Sequence, residues 1–116
     1  MSTLDVVLKP WGKYEVLTEG SGYKVKRITV IRNGRLSLQL HNQRSEHWVV
    51  VSGEAAVTIG ERKLRLLKDQ SIYIPIQTKH RIENNNYEDL VLIEVQSGNN
   101  LEEDDIIRFE DIYGRT

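Results

Sequence analysis

The 116-residue sequence contains no cysteine. That excludes disulfides and thiolate metal sites and leaves imidazole, carboxylate and amide groups as the side-chain metal ligands. It also fits a reducing cytoplasm. No run reaches the roughly 18 consecutive apolar residues of a membrane span, and the N-terminus lacks the basic-then-apolar order of a signal peptide. A soluble, cytoplasmic protein is therefore expected. Charge of one sign is missing too. Sixteen Lys+Arg stand against seventeen Asp+Glu, a net charge of −1, so no global field draws the chain to nucleic acid or a membrane. A glycine-rich phosphate loop is absent, and the length suits one domain, residues 1–116, rather than two.

What is present is alternation. Apolar residues recur with period two over Tyr14–Leu17, Tyr23–Ile31, Leu36–His41, His47–Ser52, Ala55–Ile59, Lys63–Leu67, Ser71–Ile74, His80–Glu83 and Val91–Gln96, the signature of β-strands. Turn signals separate them, among them Asn33-Gly34, Ser52-Gly53-Glu54, Lys68-Asp69 and Asn84-Asn85-Asn86. Short strands with closely spaced turns predict an all-β sandwich or barrel. Only Leu101–Tyr113 suits a short helical turn, with Glu102, Glu103, Asp104 and Asp105 placed for a helix N-terminus.

In Leu36–His41 the leucines at 36, 38 and 40 occupy one face, and Ser37, Gln39 and His41 the other. Either the leucines face the core, or the polar face lines a pocket inside a barrel. In the second case the leucines lie outside, where they suit a homodimer interface.

The stretch HNQRSEHW (residues 41–48) concentrates coordinating groups just before the apolar Val49-Val50-Val51. On an extended chain His41 and Gln43 point the same way, and Glu46 shares a face with Trp48 and Val50. His80 follows in YIPIQTKHRIEN. Any single histidine here reads as a surface or hydrogen-bonded core residue. Together, His41, Gln43, Glu46 and His80 are a candidate set for a divalent cation with an open coordination position.

The spacing resembles the paired motifs of the cupin superfamily. His41-Asn42-Gln43, Glu46 and Gly53 match the first motif, and Pro75 to His80 with Asn84 the second. The order of KPWG (9–12), YKVKRITV (23–30), LSLQLH (36–41), RSEHWVVVSG (44–53), SIYIP (71–75), LIEVQSG (92–98) and EDDIIRFEDIYGR (103–115) is more specific. It resembles the C-terminal domain of type II mannose-6-phosphate isomerases, usually fused to a mannose-1-phosphate guanylyltransferase domain. The resemblance implies a single cupin jelly-roll barrel. It also implies interconversion of mannose 6-phosphate and fructose 6-phosphate with a divalent metal (Zn, Mn, Co or Fe).

The signature Q-x-H-x-H-R-x-E-H-W maps onto Gln39, His41, Arg44, Glu46, His47 and Trp48. Its second histidine is replaced by Gln43, and Asp69 and Gln77 stand where the second motif usually has glycines. An amide oxygen is a poorer ligand than imidazole for a borderline divalent ion. For the implied isomerisation Arg44 is the candidate anchor for phosphate or oxyanion, with Lys79 or Arg81 assisting. Glu94 or His47 is the candidate base, and Gln39 and Gln96 are candidate substrate contacts. No guanylyltransferase activity is expected of this domain alone. The alternative is a catalytically inactive sugar-phosphate-binding cupin that partners a separate guanylyltransferase.

Overall fold

Side-chain alternation in this chain sorts apolar from polar groups across each strand, and hydrogen-bond pairing then stacks the apolar faces. The computed structural model describes residues 5–114; Arg115, which ends the last segment quoted above, lies outside them. The strands are β1 (Asp5–Lys9), β2 (Gly12–Gly20), β3 (Tyr23–Val30), β4 (Leu38–Leu40), β5 (Arg44–Ser52), β6 (Ala55–Ile59), β7 (Arg62–Leu66), β8 (Ser71–Ile74), β9 (His80–Glu83), β10 (Leu90–Gly98) and β11 (Ile107–Glu110). One sheet runs β1-β2-β3-β10-β5-β8 and the other β11-β4-β9-β6-β7. Among the described residues no helix is long and apolar enough to cross a membrane.

The two sheets share one interior, and its character changes along the strands. In one half, Leu92 stands opposite both Ile28 and Val50, and Ile82 stands opposite Val57 in the second sheet. All five are buried. Each such aliphatic side chain contributes about 1.5–3 kcal/mol by leaving water. Two residues further along β10 the inward positions turn polar. Glu94 faces Lys26 on one side and Trp48 on the other, and Gln96 faces Glu46. Because strand side chains repeat every two residues, the register that buries Ile28, Val50 and Leu92 also buries Lys26, Glu46 and Glu94. The apolar half supplies the stability, and the polar half carries a desolvation cost.

The strand carrying Ser37, Gln39 and His41 resolves the two readings left open by its alternation. Ser37 and His41 are buried, and Gln39 lines the interior cavity, whereas Leu38 and Leu40 are half-buried on the opposite face. Leu36 precedes β4 and packs against the core instead. At the C-terminal end, a turn closed by Asp105 N–H on the Glu102 carbonyl (3.1 Å) stands where a helical turn was expected. The chain then adds β11 to the free edge of β4. The acidic residues of this turn are taken up by tertiary partners: Glu103 by Lys26, and Asp105 by backbone N–H groups. Local preference for a helix gives way to those contacts.

Gly53 turns β5 into β6 at φ 83°. A Cβ there would come within 2.8 Å of the Asp89 carbonyl oxygen, so the turn requires glycine. Asp69 and Gln77 also adopt left-handed backbone, at φ 73° and 57°, at the two positions where the resembled motif has glycine. The Cβ of either residue crowds the following carbonyl there, but the short side chain of Asp offsets this by local hydrogen bonding better than that of Gln. Gln77→Gly is therefore expected to stabilise the fold by about 0.5–1 kcal/mol. It would appear as a higher urea midpoint at unchanged slope. An unchanged or lower midpoint would contradict this account of the turn.

Candidate metal centre

Two strands and one loop bring the coordinating groups together. His41 follows β4, Glu46 lies on β5 and His80 opens β9, and all three are buried. One potential ligand atom from each lies within 4.8 Å of the others. His41 Nε2 is 3.4 Å from Glu46 Oε2, and His80 Nε2 is 3.5 Å from Glu46 Oε1. The Gln39–His80 pairing of β4 with β9 sets the two histidines side by side, with ring centroids 5.1 Å apart.

Both imidazoles are oriented by a backbone carbonyl behind them. His41 Nδ1 lies 2.6 Å from the Asp105 carbonyl oxygen, and His80 Nδ1 lies 2.9 Å from that of Thr78. With Nδ1–H donating, each Nε2 lone pair points into the cluster. Burial, with the nearby Arg44 charge, pushes the His41 pKa down to about 3. Burial likewise lowers His80. Both rings are thus neutral near pH 7, the form that binds metal. His80 Nε2 is buried and makes no hydrogen bond among the described residues. A buried lone pair with no donor, aimed at a carboxylate between two neutral imidazoles, fits a divalent cation: two His and one carboxylate with open positions.

Glu94 stands beside this cluster. Burial pushes its carboxyl up to about 7, reinforced by the Glu46 charge. Burial also raises Glu46, although Arg44 opposes the shift. Glu94 is held from both sides, accepting from Trp48 Nε1 at 3.1 Å and from Gln96 Nε2 at 2.7 Å. A cavity opens over these groups, lined by Gln39, Arg44, Glu46, Glu94 and Gln96 and also by Lys26, Tyr14 and Glu103. Arg44 spans it. Its Nη2 is 3.2 Å from His41 Nε2, its Nε 3.4 Å from Glu46 Oε2, and its Nη1 3.2 Å from the Glu102 carbonyl oxygen.

Three expected site residues, Gln43, His47 and Lys79, lie elsewhere. Gln43 is exposed because residues 42–43 bend, so the same-face rule for extended chain fails there. The amide that does reach the cluster belongs to Gln39, whose Nε2 is 3.4 Å from His41 Nε2. His47 is exposed on the outer face of β5, its ring 4.7 Å from that of Tyr73, since adjacent strand residues point to opposite faces. Lys79 is exposed, with its ammonium over Phe109. Arg81 is buried and lines a small cavity with Glu46, His80 and Glu94, but its guanidinium donates to the Leu36 and Glu110 carbonyls and so braces the segment before β4 and β11 against β9. Sequence reasoning missed Lys26, Tyr14, Glu103 and Asp105. Lys26 was detectable, because it shares a strand face with Ile28 and Val30.

Asp105 organises the centre from outside it. Its carboxylate accepts the N–H groups of Asn42 and Gln43, each at 3.0 Å, while its carbonyl holds His41. One residue thereby makes the bend and aims the ring.

The sequence matches the family described as mannose-6-phosphate isomerase C-terminal over residues 1–111. The chain belongs to that family. Among family members it is 56% identical over 110 residues to the xanthan biosynthesis protein XanB of Xanthomonas campestris pv. campestris, covering 95% of this chain and 24% of XanB. It is also 56% identical over 110 residues to the mannose-1-phosphate guanylyltransferase ManC of Salmonella typhimurium, covering 94% of this chain and 23% of ManC. The chain thus spans about a quarter of the length of these relatives. Its fold is that of a cupin. The cupin domain of Schizosaccharomyces pombe Cnp3 superposes with a TM-score of 0.71 at 15% identity, over 74% of this chain and 64% of that one.

Two outcomes test the ligand assignment. Asp105→Ala keeps the carbonyl that holds His41 but releases the 42–43 backbone that its carboxylate fixes, and is expected to lower metal affinity about tenfold in a competition titration. Gln43→His is expected to leave affinity unchanged, because position 43 faces away from the centre. A clear gain with Gln43→His would overturn the placement of that bend.

Proposed function

We propose that this domain interconverts mannose 6-phosphate and fructose 6-phosphate, with a divalent metal held by His41, Glu46 and His80. The observation that carries the reading is the adjacency of this cluster to Glu94, a buried carboxyl with a pKa near 7. Aldose–ketose isomerisation moves a proton between neighbouring carbons. It needs a base whose pKa lies near the working pH. When bound, a divalent ion supplies Lewis-acid polarisation of the sugar's carbonyl or hydroxyl oxygen.

The rest follows from the protein's own groups. Glu94 takes the proton from one carbon and returns it to the next. The Trp48 and Gln96 N–H donors keep its carboxylate in one orientation through both transfers. Gln96 Oε1, buried without a hydrogen-bond partner among the described residues, is an acceptor for a sugar hydroxyl. Arg44 provides a fixed cation for the substrate's negative charge.

A second reading has an observation of its own. Arg44 Nη2 sits 3.2 Å from His41 Nε2, a guanidinium against the face where a metal would bind. That arrangement suits a domain that binds hexose phosphate without turning it over and serves a separate guanylyltransferase.

A coupled isomerase assay separates the two. Turnover is expected to vanish on chelation and to return when Zn, Mn, Co or Fe is restored. Glu94→Gln is expected to lower kcat by about 10²- to 10⁴-fold with little change in KM. Saturable hexose-phosphate binding with no turnover under any metal would favour the second reading.

A further inference from the structure

We propose that Lys26, Tyr14 and Arg44 form the subsite for the substrate's phosphate, and that the Glu103 carboxylate holds this subsite as a displaceable internal anion. The inference rests on the reading of the substrate as a hexose phosphate.

The first support is the cost of burying Lys26. Lysine is rarely buried unless it is paired, yet the Lys26 side chain is only 4% exposed. Its ammonium lies 4.1 Å from the Tyr14 ring centroid and 2.8 Å from Glu103 Oε2. Arg44 Nη1 lies 3.9 Å from the same oxygen. Tyr14 lines the same cavity as that carboxylate, and burial together with the Glu103 charge pushes the phenol up to about 12, so it stays a donor. One anionic group thus sits among an ammonium, a guanidinium and a phenol. A phosphate monoester offers three terminal oxygens to the same three donors, where a carboxylate offers two.

The second support is an asymmetry. Lys26 and Arg44 are each 4% exposed and come from the barrel wall, on β3 and β5. Glu103 is 49% exposed and comes from the turn outside β11. The cations cannot leave, whereas the half-exposed carboxylate can swing into water once another anion takes its place on Lys26 and Arg44. The other two carboxyls facing the cavity are engaged elsewhere: Glu46 by the histidines, and Glu94 by Trp48 and Gln96.

The third support is position. Arg44 reaches His41 with one nitrogen and Glu103 with another, so the subsite lies one guanidinium away from the metal centre. Lys26 stands directly across from Glu94. An anion held by Lys26 and Arg44 therefore places the remainder of a hexose over Glu94 and the metal ligands.

The test measures affinity rather than turnover. Inorganic phosphate, mannose 6-phosphate and uncharged mannose are titrated calorimetrically into the full chain and its variants. Lys26→Met is expected to weaken both phosphates on the order of tenfold or more and to leave mannose unaffected, as for a lost charge-assisted hydrogen bond. Lys26→Arg is expected to recover most of the loss, which separates charge recognition from misfolding. Glu103→Gln is expected to tighten both phosphates several-fold, because the competing anion is removed. Weaker or unchanged binding in Glu103→Gln would overturn the displaceable-anion role, and unchanged binding in Lys26→Met would overturn the subsite. Phosphate binding with this pattern but without turnover would overturn the isomerase reading alone. Turnover with unaffected Lys26→Met would overturn the subsite alone.

Discussion

Two carboxyls, Glu46 and Glu94, are buried next to each other inside the barrel, and the surrounding structure answers that fact. Side by side in a low-dielectric interior, they cannot both ionise without cations close by. Lys26 faces Glu94 across the β3–β10 ladder, Arg44 approaches Glu46 from its own strand, and two neutral imidazoles leave their lone pairs directed at Glu46. The polar half of the interior is a charge-balancing arrangement with room for a divalent ion. The apolar half, built on Ile28, Val50, Ile82 and Leu92, carries the stability that makes this arrangement tolerable.

The C-terminal segment completes the arrangement from outside. Its turn at Glu102–Asp105 sends one carboxylate to Lys26 and another to the backbone of Asn42 and Gln43, while a carbonyl aims His41. β11 then fastens that turn to β4. The ligand geometry therefore depends on contacts made by residues some sixty positions away in the chain, as the His41–Asp105 separation of 64 shows.

How much of this was legible depended on whether local rules governed each residue. Period-two alternation exposed the strands, and motif spacing picked out His41, Glu46 and His80, because those residues sit in or beside regular strands. Gln43 misled because the chain bends there, under the grip of Asp105. His47 could be read from the same alternation that marked Glu46, as its neighbour on the opposite face. The acidic run at 102–105 has the composition of a helix start, and only the fold reveals that Lys26 and the 42–43 backbone claim its carboxylates. Lys26 was not singled out, although its register with Ile28 and Val30 placed it inside.

The central claim is that His41, Glu46 and His80 jointly hold a metal ion. Elemental analysis of untagged protein, purified without chelator, tests it most directly. The account predicts one divalent ion per chain, lost when Glu46 is replaced by Ala. Protein without bound metal after exposure to Zn, Mn, Co or Fe, or full occupancy retained in Glu46→Ala, would contradict it.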